Sequence, residues 1–295
     1  MSGLARARPT PSSLSERIHS SEHPAEPQGS SIRGSSIRGS SIRGSSIRGS
    51  ASESDGELSS VPTEVVAIDG PSGAGKSTIA RMLAESLGYA FLDTGAMYRA
   101  ITWHFLERGI APSACVADED LGAAKMMAAL ADANVGFQDG HILLDGRDIT
   151  AHLRTREVES QVSAVSALPF VRARMGELQR AVAMQGPVVA EGRDMGSVVF
   201  PSARWKVYLD AAPTERARRR CQDFDRQGRK VSHDEVLEEI MVRDRLDSNR
   251  SDAPLKQASD ALYLDTTGLT ADAVIEQLLR LVNSSRDGQG ITEAL

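Results

Sequence analysis

The stretch Gly70-Pro71-Ser72-Gly73-Ala74-Gly75-Lys76-Ser77-Thr78 constrains this chain more than any other. It matches G-x-x-x-x-G-K-[ST]. A short apolar run, Val65 to Asp69, precedes it, and a helical pattern, Ile79 to Leu87, follows and stops at Gly88. Strand, glycine-rich turn and helix in that order favour one chemistry. Glycines let successive backbone N–H groups curl around phosphate oxygens, and the next helix adds its free N–H groups and positive dipole end. Lys76 is placed to reach β- and γ-phosphates, and the Ser77 hydroxyl to ligate Mg²⁺. The flanking elements set this loop apart from a chance glycine-rich turn.

The chain has 295 residues, 40% of them apolar, enough for a sizeable core in one large or two modest domains. No apolar stretch is long enough to span a membrane. Cys115 and Cys221 give neither a disulfide framework nor a metal quartet, and the six histidines are scattered. A net charge of −6 argues against nucleic-acid binding, although 29 of the 34 basic residues are arginine. Arginine's planar fork suits bidentate phosphate contacts. A genome-wide preference for Arg codons would give the same count, so local clustering is the better guide.

Residues 1–62 read as a disordered tail rich in Ser, Pro, Gly and Glu. Within it Ser-Ser-Ile-Arg-Gly repeats four times from Ser30 to Gly49, and one Ile in five residues cannot build a core. A flexible tail is the plain reading, and a phosphorylatable or anion-binding tail the sharper one. Glu16, Glu22 and Glu26 count against a transit peptide. The folded domain spans 63–285, with a frayed end at 286–295. Five short apolar runs, closing with Ala261 to Asp265, alternate with helical patterns. They predict an α/β fold whose five-stranded parallel sheet is covered on both faces. Val135–Phe137 and Ile142–Leu144, joined through Asp139-Gly140, read as a β-hairpin that interrupts the alternation. A second Asp-Gly stands at Asp145-Gly146. The stretch from Pro213 to Gln227 reads as a strongly basic helix, and Ser232 with Glu235 as the capping box of the next.

A P-loop alone says "nucleoside triphosphate" and little more. The absence of Asn-Lys-x-Asp disfavours a GTPase. Arginines on separated segments (Arg99, Arg172, Arg193, Arg219, Arg220, Arg243, Arg245 and Arg250) are what phosphoryl transfer needs, because it calls for positioning and charge neutralisation. Taken alone, the Arg216–Arg220 cluster is more often a solvated helix face. Its place between the fourth and fifth strands favours function.

Four segments together carry a resemblance: the P-loop, Leu92-Asp93-Thr94-Gly95-Ala96-Met97-Tyr98-Arg99, Glu191-Gly192-Arg193-Asp194-Met195-Gly196-Ser197-Val198-Val199-Phe200-Pro201, and Arg243-Asp244-Arg245-Leu246-Asp247-Ser248-Asn249-Arg250. From about Val65 to Val282 the chain resembles bacterial-type cytidylate kinases. The resemblance implies a three-layer P-loop NTPase fold and transfer of phosphate from ATP to CMP or dCMP with Mg²⁺. It also implies a monophosphate-binding insert with a small β-sheet at about 94–185 and a helical lid at about 213–232. Gly70 to Thr78 would hold ATP, and Thr94 and Arg99 the CMP phosphate. Ser163, Arg172 and Asp194 would read the cytosine edge. That trio is chemically sensible, since a carboxylate accepts from the N4 amine while Arg and Ser suit O2 and N3. Arg243 and Asp247 would take the sugar hydroxyls, and Arg193 and Arg250 phosphates. Arg219 and Arg220 would close on the transferring group. Lys76, Arg193, Arg219 and Arg220 are the expected catalytic set. Ser77 would bind Mg²⁺ directly. Glu191, where relatives often carry Asp, would bind it through water. For each residue a plainer role stands beside this one: Asp194 as a strand-end carboxylate, Asp247 as an intrahelical ion pair, Tyr98 as core.

The expected partners are ATP and CMP or dCMP, with no nucleic acid and no membrane, in a cytoplasmic monomer. Two rivals stay open: a P-loop kinase for AMP, UMP or shikimate, and a nucleotide-binding regulator whose catalysis has decayed.

Overall fold

The computed structural model describes residues 64–112, 119–138, 140–226 and 228–286. The repeat tail, Cys115 and the last nine residues lie outside them. The apolar run of the first strand, β1 (Val65–Asp69), is buried along its whole length. Its side chains alternate between two cores, as a strand with both faces covered must. Val65 and Ala67 face one core; Val66 and Ile68 face the other.

Helix α1 (Lys76–Leu87) lies over the second core through Ile79, Ala80, Leu83 and Ala84, an i, i+4 stripe. Each large apolar side chain buried there contributes about 1.5–3 kcal/mol. Gly88 ends the helix in the left-handed conformation at φ 68°. The chain continues through β2 (Ala90–Asp93) and α2 (Thr94–Glu107), whose first turn is capped by the Asp93 carboxylate accepting from Ala96 N at 2.8 Å. Then come α3 (Glu119–Asp132) and three antiparallel strands, β3 (Val135–Gln138), β4 (His141–Leu144) and β5 (Arg147–Asp148). The second Asp-Gly makes the extra turn: Asp145 and Gly146 both take positive φ, so the expected hairpin is a three-stranded sheet.

Helices α4 (Arg156–Val165) and α5 (Pro169–Ala183) return to the main sheet at β6 (Val188–Glu191). A π-helical turn at Met195–Val199, β7 (Trp205–Asp210), α6 (Pro213–Arg226), α7 (His233–Ser248), β8 (Leu262–Asp265) and α8 (Ala271–Arg286) complete the order. The Ser232–Glu235 capping box is present.

The five main strands run in the order β2-β6-β1-β7-β8 and every pairing is parallel. Helices α1 and α8 close one face; α2 and α5 stand on the other. Their carboxyl ends are in register. Ile68 pairs with Glu191, Asp69 with Tyr208, and Asp210 with Asp265, so four loops open at one edge, where α/β sheets bind ligands. Among the described residues no helix is long and apolar enough to cross a membrane.

Candidate active site

Gly70 shows why the P-loop begins with glycine. Its φ is 146°, and a Cβ there would lie 1.9 Å from the carbonyl oxygen of Leu209 on β7. The loop can leave β1 only if nothing projects toward the neighbouring strand. Within the loop Lys76 Nζ donates to the Pro71 carbonyl at 2.7 Å. Burial, with Arg193 nearby, pulls its ammonium down to about 7. The Ser77 hydroxyl, one residue on, donates to Glu191 Oε1 at 2.7 Å. Thr78 is exposed.

Two arginines of α6 press on the same loop. Arg216, only 4% exposed, reaches the Ser72 carbonyl at 3.0 Å and the Asp244 carboxylate at 2.6 Å. Arg219 reaches the Ala74 carbonyl at 3.4 Å and both the hydroxyl and carbonyl of Thr266. Arg218, by contrast, pairs with Glu215 and is exposed, the solvated face that a basic helix usually presents. Arg216 therefore carries a loop contact that its sequence context hid.

Asp69 lies between the P-loop and the strand beside it. Its two oxygens accept from Met195 N and Gly196 N, each at 2.8 Å. Burial pushes it up to about 6, against those two hydrogen bonds. The turn it holds starts immediately after Asp194. A single π turn is a frequent mark of a functional site.

Opposite the loop stands a second polar cluster. Arg172 from α5 and Asp194 form a buried ion pair, and Arg172 also donates to the Ser166 carbonyl at 3.1 Å. The Arg172 guanidinium lies 5.8 Å from the centre of the Tyr98 ring, so Tyr98 is part of the wall. Asp247, 1% exposed, accepts from Arg193 Nε at 2.9 Å and from Arg250 Nη2 at 2.6 Å. Both its oxygens accept from arginines, one from the end of β6 and one from just beyond its own helix. Arg250 also donates to the Ser166 hydroxyl at 2.9 Å. Ser163, half-buried, lies one turn after Glu159 on α4. Thr94 is buried, its hydroxyl donating to the Glu191 carbonyl at 2.7 Å. Arg245 faces solvent, apart from the cluster.

The centre of the crevice is Glu159, which nothing in the sequence singled out. Arg99 Nε donates to it at 2.8 Å, and Arg220 and Arg243 approach to 3.7 Å. Burial alone would raise this carboxyl, but the three guanidiniums hold it below the usual carboxylate range. Arg243 is the strained member. Its Nε is buried with no hydrogen-bond partner, and burial together with Arg193 and Arg99 pulls the guanidinium down to about 10. A buried cation with an unmet donor costs free energy that an arriving anion would recover.

Nothing among the described residues groups three or more His, Cys, Asp or Glu as a metal cage. The oxygen pair Ser77 and Glu191 nonetheless suits Mg²⁺, which usually takes one or two protein oxygens and keeps water and substrate phosphates for the rest.

A P-loop at the carboxyl edge of a five-stranded parallel sheet, facing an arginine-lined crevice, defines a P-loop nucleotide-binding α/β protein. The chain belongs to the cytidylate kinase family, whose model matches residues 66–284. It is 45% identical over 224 residues to a cytidylate kinase of Carboxydothermus hydrogenoformans, covering 75% of this chain and 98% of that one. It is 43% identical over 220 residues to a cytidylate kinase of Clostridioides difficile, covering 74% and 98%. Among solved structures, a shikimate kinase from Acinetobacter baumannii in complex with shikimate aligns over 76% of this chain and 96% of its own, at 18% identity and a TM-score of 0.33.

Proposed function

We propose that this chain transfers the γ-phosphoryl group of ATP to CMP or dCMP, giving ADP and CDP or dCDP. Family membership supports the reaction. The observation that carries the site assignment is the second arginine cluster facing the P-loop, with a buried Arg243 donor left without a partner. A P-loop that only binds or hydrolyses a nucleotide needs no such second anion site. The acceptor insert is residues 94–185 and the lid 213–232. A small apolar cluster of Ala217, Val236 and Ile240, separate from the two main cores, packs the lid helix α6 against α7.

In this reading Gly70 to Thr78 cradle the triphosphate. Lys76 leaves the Pro71 carbonyl for the β- and γ-phosphates. Ser77 and Glu191 hold Mg²⁺, which when bound neutralises charge on those phosphates. Thr94, Arg99, Arg193 and Arg250 take the acceptor phosphate, and Arg243, expected at the sugar, joins them because its guanidinium stands with Arg99 beside Glu159, while Arg172 and Asp194 read the cytosine edge with Ser163. Asp247 keeps a free lone pair on each oxygen for its proposed sugar contact. It also fixes where Arg193 and Arg250 stand. Arg219 and Arg220 steady the transferring group from the lid, Arg220 from beside the acceptor phosphate with Arg99 and Arg243. The acceptor phosphate is already an anion, so no general base is required. Lid closure keeps out the water that would otherwise take the phosphoryl group. The proposed setting is a monomer in the cytoplasm.

The test is an assay with MgATP and a panel of CMP, dCMP, UMP, AMP and shikimate. Turnover is expected to be highest with CMP and dCMP. A preference for AMP would overturn the assignment of Arg172 and Asp194, and nucleotide binding without any transfer would favour a regulatory protein.

A further inference from the structure

Glu159 has no task in the transfer just described, yet more guanidiniums converge on it than on any other carboxylate of the crevice. Arg99 reaches it from α2, Arg220 from α6 and Arg243 from α7. The helix dipole explains acids in the first turn of α4, and exposed Glu157 needs no further reason. It does not explain why Glu159 turns inward, half-buried, into a nest of arginines. Among the described residues Glu159 is the one carboxylate within 4 Å of all three guanidiniums, with Asp247 and Asp93 acting on Arg243 and Arg99 from farther off. Only Arg99 is hydrogen-bonded to it. At 3.7 Å the other two make no hydrogen bond to it, Arg220 resting also over the Phe224 ring, and both are available to a stronger anion. Arg243 keeps a buried Nε donor unused.

We propose that Glu159 is an internal stand-in for the acceptor phosphate, a positioning residue that holds Arg99, Arg220 and Arg243 together while the crevice is empty and yields them when a phosphate dianion arrives. The inference rests on reading this crevice as the acceptor-phosphate site. Without the carboxylate, three like charges would push one another apart. With it, any incoming anion must compete with a charge already in place, so every anion is weakened by the same factor. A nucleoside monophosphate offsets that factor with base and sugar contacts. Free inorganic phosphate has none, so the stand-in keeps the crevice clear of it.

Glu159→Gln keeps an oxygen for Arg99 Nε and removes the charge. Two quantities are expected to fall together, each by roughly three- to tenfold: the dissociation constant for inorganic phosphate, read by calorimetry on the nucleotide-free protein, and KM for CMP. A merely structural role predicts the reverse, a raised KM with a lowered melting temperature. An unchanged phosphate affinity or a raised KM overturns the proposal. Glu159→Asp draws the charge back from Arg220 and Arg243 and is expected to shift both constants the same way by less. It carries the test if the Gln variant does not fold. The phosphate arm involves no nucleotide. A protein that ignores CMP but binds phosphate more tightly after Glu159→Gln loses the kinase reading and keeps the stand-in. A CMP kinase with unmoved phosphate affinity loses the stand-in alone.

Discussion

The P-loop is gripped mainly through its own main-chain carbonyls; around Glu159 the contacts run between side chains. On the donor side Lys76, Arg216 and Arg219 all end on carbonyls of the loop, at Pro71, Ser72 and Ala74. On the acceptor side Arg99–Glu159, Arg172–Asp194, Arg193–Asp247 and Arg250–Ser166 are contacts between residues far apart in the chain. A site made of backbone survives loss of a side chain, because the loop's path is set by its glycines and by α1. A site made of paired charges does not, because each partner left behind is a buried ion without a counterion.

This contrast can be broken at three points. Asp194→Ala removes the buried partner of the Arg172 guanidinium, leaving it only the half-exposed Asp252 carboxylate at 3.7 Å, and is expected to cost about 3 kcal/mol of stability, read by urea unfolding. A loss below about 1 kcal/mol would mean that the acceptor side is not held by its ion pairs. On the donor side, Lys76→Ala is expected to cut kcat roughly 10²–10³-fold while leaving stability intact or slightly improved. The sign follows from burial: the ammonium is disfavoured where it sits, so the empty protein loses little with it. Near-wild-type turnover would remove Lys76 from the site. The smallest effect is in protons. The Lys76 pKa is depressed to about 7 in the free protein, so above that pH the amine is largely neutral. A bound triphosphate favours the ammonium and raises the pKa, so binding should take up close to one proton at pH 8 and almost none at pH 6. Calorimetry of a non-hydrolysable ATP analogue in buffers of different ionisation enthalpy reads this directly. The uptake should vanish in Lys76→Ala, and equal uptake at both pH values would assign the proton elsewhere.

The same contrast decides what could be read from the residues alone. The P-loop was legible because its function lies in consecutive residues and a fixed spacing. The five strands were legible because buried parallel strands are short continuous apolar runs. β5 escaped because two exposed polar residues, Arg147 and Asp148, carry no alternation to detect. The arginines of the crevice were visible as a set, but their partners were not. Glu159 lies in Arg-Glu-Val-Glu-Ser, which reads as an ordinary solvated helix start, and only the fold carries Arg99, Arg220 and Arg243 to it. Ser166 and Ser163 could not be told apart by chemistry. The structure gives Ser166 the contacts to Arg172 and Arg250, a ranking that depends on how α4 is rotated. Arg216 was hidden by its neighbours, since a run of arginines on one helix looks like surface until one of them proves buried.

Asp69 bears on distance. Its carboxylate grips the turn that begins after Asp194, while its own backbone leads straight into Gly70. The last residue before the P-loop and the turn that follows the buried Asp194 carboxylate are thus fastened to each other across two adjacent strands. The spacing between the P-loop and the Asp194 turn is set inside the sheet, as the opening of a calliper is set by its beam. The outlying helices can swing without altering that reading.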